Sequence, residues 1–244
     1  MTKLSCNVNK VATLRNTRQH GIPSVVNAAH TCLTAGAHGI TVHPRPDQRH
    51  ITPDDVREIA QLMRSWPGAE LNIEGNPFES SLALVREFRP TQYTMVPDAS
   101  TAVTSDHGWD LALNRQRLEP IIGEVKKMGV RVSLFMDGDS AEMGLARELG
   151  ADRVELYTEP YASAFKRGAP EASLELFARA AAKASAAGLA INAGHDLDLH
   201  NLGVFLKAVP GVLEVSIGHA LISDAMEYGL AASVKKYLAV LSGS

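Results

Sequence analysis

Short apolar runs alternate with longer stretches of helical period along the whole 244-residue chain. The first run, LSCNVN, ends near Asn9, and a polar loop around residues 16–20 leads into SVVNAAHTCLTAG, whose apolar residues recur at helical spacing up to Gly36. GITVH predicts the second strand. TPDDVREIAQLMRSW predicts a helix with Thr52 as N-cap, Pro53 at its first position and an acidic first turn. ELNIE, QYTMVP, RVSLFMD, RVELYT, LAINAGH and VLEVSIGH predict further strands. Between them NPFESSLALVREFR predicts a helix opening at Asn76 and Pro77, and RQRLEPIIGEVKKMG one that Pro120 divides in two. DSAEMGLARELG, the alanine-rich EASLELFARAAAKASAAG, DLHNLGVFLKAVPG and the tail to Leu241 complete the helical set. DASTAVTSDHGWDLAL has no clean period, and YASAFKRGAP suggests a loop with one short helical turn. Residues Asp98 to Asp110 and Tyr161 to Ala169 are the candidates for mobile lids.

Eight strand-then-helix units in one chain predict an α/β fold, a TIM (β/α)8 barrel with additional short helices, as a single domain over residues 1–244. Parallel strands of this kind are expected to be buried on both faces. The alternative, an open doubly wound sheet, calls for a glycine-rich phosphate loop after the first strand. Asn7-Val8-Asn9-Lys10-Val11 is not one.

Composition narrows the class. A chain that is 45% hydrophobic can bury a full core, and a formal charge of -3 makes no case for a nucleic-acid surface. Cys6 and Cys32 alone supply neither a disulfide framework nor a four-cysteine zinc site. The start MTKLSCNVNK lacks the apolar run of a signal peptide, and no apolar segment approaches a membrane span, so a cytoplasmic setting is the default.

In a barrel the C-terminal strand ends meet on one rim, where substrates sit. Here that rim gathers Asn7 or Asn9, His43, Glu74, the loop with Thr104, Asp137, Glu155, His195 and His219, while the opposite ends are bland. His43 could simply cap its strand, but beside Glu74 it points to proton transfer. A carboxylate at a dry strand end gains affinity for protons, as a general acid or base requires, unless a loop arginine pairs with it. Arg45 and His50 suit a phosphate, with Pro44 and Pro46 stiffening the segment. Arg49 is an ordinary solvent-facing candidate, and Asp47 is either a turn residue or the partner that orients Arg45. Gly194-His195 and Gly218-His219 recur at successive strand ends. Glycine allows close backbone approach, and a helix start after Gly218 supplies amide donors. Lys10 and Arg18 add positive charge near the first strand. His43, Glu74, His195 and His219 could also form a zinc-like set, but no tight ligand motif is present and the arginines favour anionic substrates.

VNKVATLRNTR, TVHPRPDQRHI, LNIEG, VSLFMD, VELYT, INAGH and SIGHA occur, in this order, across nearly the entire chain. The pattern resembles the pyridoxine 5'-phosphate synthase family. The resemblance implies a cytoplasmic homo-octamer that condenses 3-amino-2-oxopropyl phosphate with 1-deoxy-D-xylulose 5-phosphate. Pyridoxine 5'-phosphate, inorganic phosphate and water are the products, with no metal or organic cofactor. It further implies His43, Glu74 and His195 as catalytic residues. Asn9, Lys10, Arg45, His50 and Thr104 match contacts to the sugar phosphate, and Asn7, Arg18, Gly218 and His219 match contacts to the aminoketone phosphate. Glu155 falls at a polar position of the site.

Two departures from the family pattern stand out. Asn9-Lys10 replaces a common Asp-His pair, moving local charge upward, and Asp196 replaces a glycine after NAGH, so it must present the same backbone amide to substrate. The rival readings are a phosphosugar isomerase or aldolase, which would turn over a single sugar phosphate, and a non-enzymatic phosphometabolite-binding protein. The retained acid–base residues argue against the second.

Overall fold

The computed structural model describes residues 1–98, 102 and 104–243. Its strands are β1 (Lys3–Asn7), β2 (Gly39–Val42), β3 (Glu70–Gly75), β4 (Gln92–Met95), β5 (Arg131–Met136), β6 (Arg153–Leu156), β7 (Ala190–Ala193) and β8 (Val212–Ile217). They pair in parallel and in chain order, and β1 pairs with β8 to close the predicted TIM barrel. The helices are α1 (Asn9–Asn16), α2 (Val25–Thr34), α3 (Pro53–Met63), α4 (Ser81–Phe88), α5 (Leu111–Lys127), α6 (Met143–Glu148), α7 (Glu159–Lys166), α8 (Glu171–Ala186), α9 (Leu202–Ala208), α10 (His219–Tyr228) and α11 (Leu230–Ser242). Among the described residues no helix is long and apolar enough to cross a membrane.

The strands are not apolar on both faces. Leu4, Ile40, Ile73, Met95, Leu134 and Ile217 join one hydrophobic cluster with helix residues such as Val56, Ile59 and Phe177. Their sequence neighbours point to the other side of the strand, into the barrel. There Ser5 Oγ meets Thr41 Oγ1 at 2.7 Å, Asn72 Nδ2 donates to Thr41 Oγ1 at 3.4 Å, and Thr94 Oγ1 donates to Asn72 Oδ1 at 3.1 Å. On the opposite wall Arg153 Nη1 donates to Asn192 Oδ1 at 3.0 Å and lies 3.6 Å from Glu214. At the N-terminal end Lys3 and Arg131 both pair with Glu70. The barrel interior is therefore a polar shaft. Burying such groups is tolerable because most find a partner, although among the described residues Ser133 Oγ, Glu155 Oε2 and Ser216 Oγ do not.

Several local expectations change for identifiable reasons. The first strand ends at Asn7 rather than near Asn9, the unassigned residues that follow form helix α1 as far as Asn16, and the expected polar turn comes after it. The helix after β3 starts at Ser81 instead of Asn76. Asn76 Oδ1 accepts the Phe78 amide at 2.9 Å and its carbonyl accepts from Ser81 Oγ at 2.8 Å, which makes a turn first. Pro120 leaves α5 undivided: Gln116, whose carbonyl loses its donor, is exposed to water. Asp110 caps α5 by accepting the Leu113 amide at 2.9 Å, so the helix begins four residues earlier than predicted. Of the two lid candidates, Tyr161–Ala169 lies mostly in α7. Buried Tyr161 ties it down by donating to the Asn201 carbonyl at 2.8 Å. In the other, residues 99–101 and 103 lie outside the described residues.

Candidate active site

His43 follows β2 directly, Glu74 is the penultimate residue of β3, and His195 stands two residues beyond β7. The loop after β2 is clamped by α1. Arg15 pairs with Asp55 and donates to the His50 carbonyl at 3.2 Å, and Asn16 Nδ2 donates to the same carbonyl at 2.9 Å. Asp55 also closes the capping box with Thr52 that starts α3, so the loop exit is fixed to the helix. At its entrance Asn9 Oδ1 accepts the His43 amide at 2.9 Å. Asp47 does not orient Arg45; it accepts from Arg49 Nε at 2.7 Å. Arg45 is held instead by Asp98, 2.5 Å away, and by the Ala102 carbonyl at 3.0 Å.

A cavity of about 580 Å³ opens at this rim. Asn7, Asn9, Lys10, His43, Arg45, His50, Glu74, Thr104, Glu155, His195, Asp196, Gly218 and His219 all line it. Arg18 does not: it sits in the exposed turn after α1, and Asp137 likewise lies outside the lining. Arg49, Ser105, Phe135 and Ser216 also face the cavity. Glycine is required at position 194, where two backbones converge, and the space beside Gly218 is tight. A Cβ on Gly194 would come within 2.1 Å of the Ser216 carbonyl oxygen, and one on Gly218 within 3.1 Å of Asn7 Cγ. Gly218 precedes α10, whose first residue is His219.

The central pair is His43 and Glu74, with Nδ1 and Oε2 3.8 Å apart and both residues buried. Burial, followed by the charges of Asp98 and Glu214, pushes the Glu74 carboxyl up to about 8. Burial, then Arg45, His50 and Arg49, pushes the His43 imidazole well below its ordinary value. Near neutral pH the carboxyl therefore holds a proton and the imidazole does not. His50 is lowered to about 4 by burial and then by Arg45, Lys10 and Arg49, and its Nδ1 accepts the Ile51 amide at 2.9 Å. Burial, followed by the nearby Glu74 and Glu214 carboxyls, pushes the Glu155 carboxyl, deeper in the barrel, well above its ordinary value.

Asp98 is the residue that reasoning from sequence passed over. Its Oδ2 accepts from both Arg45 and Ser105, the latter at 2.6 Å, and it is 2% exposed. Its position three residues beyond β4 was the available signal, obscured because it opens a long aperiodic loop. His195 has partners on both ring nitrogens: Asp196 Oδ2 lies 2.9 Å from Nδ1, and Thr104 Oγ1 lies 3.2 Å from Nε2. Asp196 itself has φ +63°, in the left-handed region.

Comparison with solved structures supports the barrel architecture alone. The thiamine phosphate pyrophosphorylase of Pyrococcus furiosus aligns with TM-score 0.61 at 13% identity, covering 99% of this chain and 96% of that one. The phosphoribosyl anthranilate isomerase of Thermus thermophilus aligns with TM-score 0.59 at 15% identity, covering 99% of each. Sequence comparison is more specific. A pyridoxine 5'-phosphate synthase of Albidiferax ferrireducens is 56% identical over 242 residues, covering 97% of this chain and 96% of the relative. The protein of the same name from Xanthomonas axonopodis pv. citri is 56% identical over 247 residues, covering 98% and 96%. The family model described as pyridoxal phosphate biosynthesis protein PdxJ matches residues 4–243. With both the motifs and near-complete coverage in agreement, the chain belongs to the PdxJ family of pyridoxal phosphate biosynthesis proteins.

Proposed function

We infer that the chain makes pyridoxine 5'-phosphate, the product named in its relatives. It does so by condensing 3-amino-2-oxopropyl phosphate with 1-deoxy-D-xylulose 5-phosphate, the substrates implied by its motifs. The carrying observation is the pairing of a neutral imidazole with a proton-holding carboxyl, His43 and Glu74, in a cavity that also presents Lys10, Arg45 and His219.

The amine condenses with the sugar carbonyl to a Schiff base, releasing water. Neutral His43 takes protons from carbon or nitrogen, and protonated Glu74 returns them to oxygen, so the pair passes a proton without an isolated buried charge. His195 gives a proton to a leaving oxygen. Arg45, His50, Asn9, Lys10 and Thr104 hold the sugar phosphate, while Asn7, Gly218 and His219 hold the aminoketone phosphate. Arg18, exposed in the turn after α1, joins them only if that turn folds over the bound phosphate. Two anchored phosphates convert a bimolecular encounter into a local reaction. Loss of one phosphate and of water carries the ring to aromaticity. The reading treats residues 1–244 as one barrel domain acting as a cytoplasmic homo-octamer without metal or organic cofactor, supported by the family motifs.

Incubating the protein with both substrates is expected to yield pyridoxine 5'-phosphate and inorganic phosphate in equal amounts. Binding of both without product would refute the reading. Near-normal turnover in His43→Asn or His195→Asn would remove that residue from the mechanism.

A further inference from the structure

We infer that Asp196 is a positioning residue for His195, holding its ring through Nδ1 so that only Nε2 exchanges protons with the reacting molecule. This rests on the reading above and deepens it, assigning a side-chain role to a position where the family pattern often has glycine.

Three observations converge. First, Asp196 Oδ2 lies 2.9 Å from His195 Nδ1, within ordinary hydrogen-bond reach, while Nε2 faces Thr104 Oγ1 at 3.2 Å on the cavity side. A carboxylate can only accept, so Nδ1 must carry a proton in both charge states of the ring. Second, the backbone is already fixed by other contacts. Thr158 Oγ1 donates to the His195 carbonyl at 2.6 Å and Asn201 Nδ2 to the Asp196 carbonyl at 3.2 Å. With φ at +63° the position suits glycine, asparagine or aspartate, and the aspartate side chain leaves it aimed at the ring. Third, the charge is supported. His195, and more weakly His219 and Lys10, hold the Asp196 carboxyl below its ordinary range against the opposing effect of burial. The Tyr157 ring meets the imidazole edge-on at 5.1 Å, limiting rotation on the remaining side.

Asp196→Gly is the decisive variant, because it removes the carboxylate, keeps the backbone amide and fits a positive φ. Its kcat is expected to fall about 10-fold or more, because the ring loses the partner that fixes its tautomer, with KM changed by no more than about twofold and the thermal midpoint maintained. Magic-angle-spinning nitrogen-15 NMR of histidine-labelled protein, with His195→Gln to identify the signals, reads the ring directly. The wild type is expected to show protonated Nδ1, and Asp196→Gly a shift of that proton towards Nε2. An unchanged kcat, a loss confined to KM, or identical ring signals would overturn the inference. A wild type that forms no product counts against the proposed reaction instead, and the ring signals, recorded without substrates, still decide the role of Asp196.

Discussion

Replacing Glu74 by glutamine removes one ionisable proton while nearly preserving the shape of the side chain. In the folded protein this carboxyl is pushed from 4.5 up to about 8, first by burial and then by Asp98 and Glu214. In the unfolded chain it ionises near its ordinary value. Between the two values the folded state therefore binds more protons than the unfolded state, and wild-type stability falls as pH rises. Integrated between about pH 6 and about pH 9, the loss is roughly 2–3 kcal/mol, and Glu74→Gln escapes it. For a chain of this length that corresponds to a gap in thermal midpoint that widens by roughly 5–10 °C across the same interval. His43 supplies an internal control. Its imidazole is held well below its ordinary value, so both proteins carry the same His43 loss as pH falls through about 6.5, while the Glu74 contribution goes on favouring the wild type down to about pH 4.5. The same substitution removes a proton carrier, so product formation should fall about 10²- to 10⁴-fold. Thermal scans of both proteins across this range, paired with turnover measurements, provide the assay. Parallel midpoint curves above neutrality would show that the carboxyl is ionised in the folded state and refute the proton-sharing scheme.

Asp98→Asn should destabilise the protein by about 3–5 kcal/mol, read by urea denaturation, because it leaves the Arg45 guanidinium buried without its counter-charge. It should also move the alkaline transition of the stability profile to lower pH, since Asp98 is one cause of the raised Glu74 value. Gly194→Ala should fail to give soluble folded protein or lose more than about 3 kcal/mol, read by expression and thermal midpoint, because the new Cβ meets a backbone carbonyl that cannot retreat. His43→Asn should lower kcat about 10²-fold or more while keeping the fold, checked by circular dichroism beside turnover.

The barrel and most of its rim were legible because they depend on local rules. Strand ends repeat the same switch from apolar run to polar cluster, and Thr52 announces a capped helix through its own neighbours. What was not legible depended on contacts distant in sequence. Arg45 finds Asp98 across 53 positions, whereas Asp47, two residues away, was the obvious guess and belongs to Arg49. Helix α1 was hidden by its polar residues, yet those are the ones that clamp the loop after β2. The alternation in KLSCN, ELNIE and RVEL carried the polar interior, and the general expectation for parallel strands masked it.

That interior also bears on how the chain finds its fold. In a barrel filled by aliphatic side chains, a strand displaced by one residue exchanges one apolar surface for another. Here the same slip would turn Arg153, Glu214 or Asn72 against the helices and place leucines among unpaired carboxyls and guanidinia. Misregistered closures are thus far above the native one in free energy, and partial rings gain little until the last strand arrives. Closure of the ring is accordingly expected to be a late and nearly all-or-none event, with the charged lining acting as the proofreader of strand order.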